Sequence, residues 1–187
     1  MLRPSYPIVT DRLILRPFTE DDFEAMYAYQ SLPEVARYLY WGPRDRAATA
    51  EALKLRMSMT VLEREGDSLV LAVLLRETGE LVGDVNLAWQ SEAHQQGEFG
   101  FVFDPAHHGR GYAAEAAVEM LRLGFEGIGL HRIIGRCDGR NEASAKLMAK
   151  LGMRREAHFV RNEIVKGEWT DEVVYAMLAD EWAARVS

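Results

Sequence analysis

The sequence predicts an α+β fold on one mixed β-sheet, for three reasons. Three β-rich segments follow one another through residues 67–103 with room only for turns between them, which is an antiparallel meander. A strand, a helical run and another strand then follow over residues 97–138, a crossover that implies a parallel pair. A further helix and two more strands complete the chain, so the sheet is mixed, α+β or α/β in character.

"DRLILRPF" (11–18) alternates as a strand does and stops at "TEDDFEAMYAYQ". There Thr19 suits an N-cap, and Glu20, Asp21 and Asp22 fill the first turn, where the helix dipole favours acidic groups. A second helix is expected from Pro43 or Arg44 to about Arg64, with Pro43 near its start. "DSLVLAVLLRE" (67–77) and "GELVGDVNLAWQ" (79–90) are strands turned by "RETGEL". "GEFGFVF" (97–103) puts Phe99, Phe101 and Phe103 on one face and Glu98, Gly100 and Val102 on the other. Ala114, Val118, Leu121 and Phe125 recur at helical spacing. "HRIIGRCD" (131–138) is a strand, and "NEASAKLMAKLGM" (141–153) is a short helix stopped by Gly152 at C′. "AHFVRNEIVKG" and "EWTDEVVYAMLA" form a last β pair before a tail helix. Without repeats, low-complexity segments or linkers, residues 1–187 are expected to form a single domain.

Composition narrows the classes of function. The 187 residues are 48% apolar, enough for one sizeable core and too few for two domains. With 22 basic and 29 acidic side chains the net charge is −7, which argues against a nucleic-acid partner. An acidic surface favours cationic substrates such as amines, and equally serves solubility. The single Cys137 excludes an intramolecular disulfide and a cysteine-built zinc site, and fits a reducing cytosol. The N-terminus shows no signal-peptide h-region, and no run approaches the ~18 apolar residues of a membrane span. A soluble, cytoplasmic protein with no membrane association is expected.

The stretch "DPAHHGRGYAAEA" (104–116) joins a strand to a helix through two glycines. It is not a P-loop, because no lysine and hydroxyl pair follows the glycines. Gly109-Arg110-Gly111-Tyr112-Ala113-Ala114 spells a dinucleotide fingerprint, and Asp138 could serve as its ribose ligand. However, five residues separate Phe103 from Gly109, looser than a Rossmann turn, and too little chain follows for a second nucleotide-binding half.

A third reading is Q/R-x-x-G-x-G/A. "HHGRGYAAEA" resembles the pyrophosphate-binding motif of the GCN5-related N-acetyltransferases (GNAT), with Gly111 and Ala113 on the small-residue positions. His108 stands where that family usually has Gln or Arg. Glycines let backbone close on a ligand, and a helix N-terminus adds unpaired amides and a positive dipole end. "NEASAKLMAKLGM" resembles the family's next motif, with Asn141, Ser144, Lys150, Leu151 and Gly152 in register. "TDRLILRPFTEDD" and "GEWTDEVVYAMLADEW" resemble the RimJ/RimL subgroup, which acetylates N-terminal amines of ribosomal proteins. The four landmarks span essentially the whole chain in the right order. The resemblance implies the GNAT fold, a mostly antiparallel sheet of about seven strands flanked by helices with a splayed central pair. It also implies acetyl-CoA as cosubstrate, no metal, and a possible homodimer.

Roles follow residue by residue. Phe101, Val102 and Phe103 would bind pantetheine through their main chain and polarise the thioester carbonyl, their aromatic side chains being core. His108, Gly109, Arg110, Gly111, Tyr112, Ala113 and Ala114 would hold the phosphates, with His107 flanking them. Glu98 is the candidate general base, working through water, and Asp84 is its competitor; an ordinary strand-start charge is the alternative for Glu98. The family's usual acid, a tyrosine, is replaced here by Met148, so Ser144, one turn earlier, is the candidate proton donor to the thiolate. A packing or back-bonding role is the alternative for Ser144. Asn141 has two compatible roles, cap of its helix and cofactor contact. Asp104, His107 and His108 are too crowded for a metal site, and Cys137 reads as a buried apolar residue. Trp41 and Trp89 are candidates for an acceptor cleft, with core packing the alternative for each.

The implied activity is direct attack of an amine on acetyl-CoA. The first acceptor is a protein N-terminal α-amine, and the second a small-molecule amine such as an antibiotic or an amino-acid conjugate. The rival from another class is a non-catalytic acetyl-CoA-binding sensor.

Overall fold

A computed structural model describes residues 1–186; Ser187, the last residue of the expected domain, lies outside the described residues. The strands are β1 (Ile8–Val9), β2 (Leu13–Arg16), β3 (Ser68–Leu75), β4 (Leu81–Ser91), β5 (Gln96–Phe103), β6 (Arg132–Asp138), β7 (Arg154–Val165) and β8 (Glu168–Leu178). The helices are α1 (Phe23–Gln30), α2 (Pro33–Ala36), α3 (Arg46–Ser58), α4 (Tyr112–Arg122), α5 (Glu142–Lys150) and α6 (Ala179–Val186). The strands form one sheet in the order β1-β2-β3-β4-β5-β6-β8-β7. All neighbours are antiparallel except β5 and β6. The mixed α+β sheet is therefore as the sequence predicts, with the two-residue β1 as an additional edge strand.

Both faces of the sheet are covered, which explains why β3 reads as an unbroken apolar run. Leu69, Leu71 and Val73 join the larger core against α4, with Met120, Leu121 and Phe125. Val70, Ala72 and Leu74 alternate into a second core with Met26 and Tyr29 of α1 and Ala52 and Leu53 of α3.

The second helix is shorter than the expected span to Arg64. Asp45 caps it by accepting from the Ala48 amide at 2.8 Å, and it ends at Ser58. Beyond it, Met59 accepts from the Val70 amide, and Leu62 exchanges both backbone hydrogen bonds with Leu2. Pairing with distant chain wins over helix continuation there. The helix α2, opened by Pro33 at its first position, was not expected. Gly152 has φ +85° just past α5, the C′ role read from the sequence.

What positions the site is the failure of β5 and β6 to stay together. They pair only from Gln96–Glu98 against Arg132–Ile134. Beyond that β6 continues on β8 as far as Asp138, and β5 continues on β4 as far as Phe103. Phe99 and Met148 occupy the wedge from within: a Cβ at Gly135 would stand 2.6 Å from Met148 Sδ and 2.7 Å from Phe99 Cε1. The two strands splay, and the β5 edge past Glu98 has no strand partner on that side.

Candidate active site

The wedge opens into a cavity of about 810 Å³ lined by β4, β5, β6, the loop before α4, the first turn of α5, and residues 38–41. Phe101, Val102 and Phe103 all line it, and their main chain belongs to the unpartnered edge of β5. An extended ligand can add to such an edge as a strand does.

At the end of β5 the chain turns through Pro105–His107 into the glycine loop. Gly109 and Gly111 take φ +76° and +83°, which L side chains rarely adopt. Gly111 is the N-cap of α4 and supplies no side-chain acceptor. The amides of Tyr112, Ala113 and Ala114 therefore begin the helix uncapped, and all three residues line the cavity. Donors of this kind, at the positive end of a helix, suit a phosphate or pyrophosphate.

His107 and His108, expected to flank the phosphates, both line the cavity beside the glycine loop, whereas Arg110 does not. His108 lines the cavity, but its Nε2 bonds the Phe103 carbonyl at 3.1 Å, so the ring braces the loop against β5. His107 is buried with Nε2 3.2 Å from Glu80, on the turn before β4. Arg110 contributes its carbonyl to Arg12 at 2.9 Å and does not line the cavity. A second cation, Arg12, missed from the sequence, packs against the loop without lining the cavity. It binds Glu115 of α4, lies over the Tyr112 ring at 4.9 Å, and brings Nη2 within 3.4 Å of a Cβ at Gly111.

Beside the wedge the side chains are charged. Glu98 accepts from Arg136 Nε at 3.0 Å and from Gln90 at 3.3 Å. Arg136 also reaches Glu172 at 2.9 Å and Glu163 at 3.8 Å. Burial alone would make the Arg136 guanidinium easier to deprotonate, but the charges of Glu98 and Glu172 outweigh it and raise its pKa. Tyr40 donates to Glu163 at 2.7 Å, and burial, then that carboxylate, push its hydroxyl up to about 12. Three carboxylates thus surround one guanidinium, leaving local negative charge that suits an ammonium group.

A second polar group sits further along β4, where Asp84 pairs with Val102 and Asn86 with Gly100. Asp84 is 3% exposed, accepts from the Tyr29 hydroxyl at 2.7 Å, and faces Arg56 Nη2 at 3.5 Å. Burial, then the Asp84 charge, hold the Tyr29 pKa well above its ordinary value. Gln30 donates to Tyr29 and accepts from Arg44, whose guanidinium lies 4.1 Å over the Trp41 ring. A Cβ at Gly100 would stand 2.6 Å from Asn86 Oδ1, so the glycine makes room for that amide.

Across the wedge, Asn141 caps α5 by accepting from the Ser144 amide at 3.1 Å. Its capping role is thus observed, and Asn141, Ser144 and Met148 all line the cavity. Met148 is 1% exposed. Cys137 is half-buried, and burial, then the Asp138 charge, push its thiol up to about 11, so it is a poor nucleophile near neutrality.

Trp41 lines the cavity as expected of it. Trp89 does not: it is 7% exposed and packed in the main core, because the alternation of β4 turns it away from the Asp84 face. Arg136, Glu163, Glu172, Tyr40, Asn86 and Arg56 also line the cavity and were not singled out from the sequence. They belong to separate segments that only the sheet brings together, with no local motif to mark them.

Comparison with known proteins agrees with this geometry. Residues 12–154 match the acetyltransferase (GNAT) domain family. The chain is 38% identical over 177 residues to the uncharacterized N-acetyltransferase YnaD of Bacillus subtilis, covering 94% of this chain and 98% of that protein. A GNAT-family acetyltransferase structure from Bacillus anthracis superposes with a TM-score of 0.84 at 34% identity, covering 94% and 99% of the two chains. More distant relatives from Escherichia coli include spermidine N(1)-acetyltransferase, 22% identical over 91% of this chain and 88% of that one. The ribosomal protein uS5-alanine N-acetyltransferase of the same organism is 23% identical over 96% and 94%.

Proposed function

The chain belongs to the GNAT family of acetyl-CoA-dependent acetyltransferases, and from that premise we propose that it moves the acetyl group of acetyl-CoA to a primary amine within one ternary complex. The observation that carries this reading is the free edge of β5 opening into the same cavity as the uncapped amides of α4. The edge accepts the pantetheine arm, the main chain from His108 to Ala114 accepts the pyrophosphate, and a main-chain amide within 101–103 polarises the thioester carbonyl. Asn141 holds the first turn of α5 against the wedge. Ser144 protonates the leaving sulfur in place of the hydroxyl that Met148 lacks. Glu98 draws the proton from the ammonium through water, in the field of Arg136; Asp84 remains its competitor. The whole chain acts as one cytoplasmic domain.

Two acceptor classes have support. The uS5-alanine N-acetyltransferase relative, and the RimJ/RimL-like terminal segments, favour a protein N-terminus. The spermidine acetyltransferase relative favours a small amine, and so does the cavity itself, which gathers charged groups of both signs within 810 Å³. We take the small amine as the better fit, because Arg56 lines the cavity under-satisfied and a carboxylate on a compact acceptor would pair with it. The test is thiol release from acetyl-CoA with a panel of small amines and N-terminal peptides, alongside calorimetry with acetyl-CoA and NAD. Acetyl-CoA binding with amine-dependent thiol release is expected. Preferential binding of NAD overturns the reading, and acetyl-CoA binding without any turnover leaves a sensor.

A further inference from the structure

Arg56 projects from the last turn of α3 into the cavity and is under-satisfied there. Its side chain is 14% exposed, yet its Nε is buried without a hydrogen-bond partner. Its other contacts, Nη1 to the Ala52 carbonyl and Nη2 to Asp84 Oδ1, are both 3.5 Å long. A guanidinium carries five N–H donors, and good bonds to oxygen fall near 2.7–3.2 Å. Asp84 pairs with it through Oδ1 at 3.5 Å, a long contact, while its short bond, at Oδ2, comes from Tyr29. Arg44, half-buried beside Trp41, adds a second positive charge, and after burial itself the Arg56 charge is the largest influence lowering the Arg44 pKa. Arg56, with Arg44 behind it, thus faces one carboxylate at this end of the cavity, and three carboxylates share one guanidinium at the other.

We propose that Arg56 is the receptor for a carboxylate on the acceptor, so that the amine substrate is an amino-carboxylate: a free amino acid, or a derivative that keeps its carboxylate. This rests on the small-amine reading above and names its substrate class. Arg56 lines the cavity and its two Nη groups make only long contacts, so the planar guanidinium keeps donors for the oxygens of a carboxylate. Asp84, its neighbour, pairs across the ladder with Val102, in the segment assigned to the thioester. A carboxylate on Arg56 therefore holds an amine a few bonds away close to the acetyl group. Ala88, the partner of Glu98, lies four residues from Asp84, about 13 Å along the strand, which is the outer length of an acceptor touching both charged ends. In the reaction the ammonium first loses a proton to the base. Its lone pair then forms the C–N bond while the C–S bond breaks with its electrons on sulfur. The products are the N-acetyl amino acid, the thiol of CoA and one proton.

The decisive comparison uses the wild-type enzyme with saturating acetyl-CoA. Free L-amino acids, their amides and 1,4-diaminobutane are assayed by thiol release. At least a tenfold advantage in kcat/KM is expected for the best free amino acid over its amide and over the diamine. In Arg56→Lys, which keeps the charge and loses the fork, KM for that amino acid should rise at least tenfold while KM for acetyl-CoA and the melting temperature stay close to wild type. Equal or better use of amides or diamine overturns the carboxylate assignment and leaves acetyl transfer to amines standing. No turnover with any amine overturns the assignment together with the reading beneath it.

Discussion

Gly111 has φ +83°, so a side chain there meets a backbone penalty, while Arg12 Nη2 at 3.4 Å from its would-be Cβ is in ordinary contact. Gly111→Ala is expected to cost about 1–2 kcal/mol of stability. It should also raise KM for acetyl-CoA severalfold, measured by thermal melting and steady-state kinetics; an unchanged KM removes the loop from cofactor binding. Ser144→Ala separates chemistry from binding. Its loss should lower kcat at least tenfold and alter acetyl-CoA affinity less than threefold. Unchanged turnover removes Ser144 from the acid role. Glu98 is held by Arg136 and Gln90, so its carboxylate is fixed in place rather than free. Glu98→Gln should flatten the alkaline rise of the kcat profile, and an intact profile moves the base to Asp84 or water.

At the scale of elements, the wedge depends on α5 as much as on the two strands that diverge. Asn141 is the cap of that helix, and Met148, two turns on, fills the space that Gly135 leaves. Asn141→Ala is expected to cost about 1 kcal/mol from the lost cap. A fall in acetyl-CoA affinity beyond what that instability causes, read by calorimetry well below the melting transition, would assign Asn141 its second role. The cap and the Gly152 stop were legible because both are local sequence signals. The early end of α3 was not, because the Met59 and Leu62 partners lie in other strands and loops.

Across the whole molecule, several carboxylates tie distant segments together. Burial would raise the Glu115 pKa, but hydrogen bonds from Thr10 and Arg12 outweigh it and hold it below the ordinary carboxylate value. Asp22 likewise stays low because Arg16 and Thr19 overcome its burial. A depressed folded-state pKa stabilises above the unfolded value, and that contribution is lost as pH falls through the folded one. The melting temperature is therefore expected to hold near neutrality and to fall progressively below about pH 4. A melting temperature unchanged down to pH 3 would show these pairs to be without consequence. The link from Arg12 to Glu115 spans 103 positions of chain, and it is the kind of contact that periodicity cannot reveal.

From the sequence alone came the main strands and helices, the mixed sheet and the glycine loop entering a helix, carried by alternation, helical spacing, caps and glycines, which act between near neighbours in the chain. The family came from the resemblance of its motifs. Tertiary packing decided where β5 parts from β6, that Trp89 turns into the core, and that Arg12 packs against the loop. It also gathered Arg136 with Glu98, Glu163 and Glu172, and set Arg56 beside Asp84. Their charges and donors find partners only once the sheet has assembled, since segments far apart in the chain supply them.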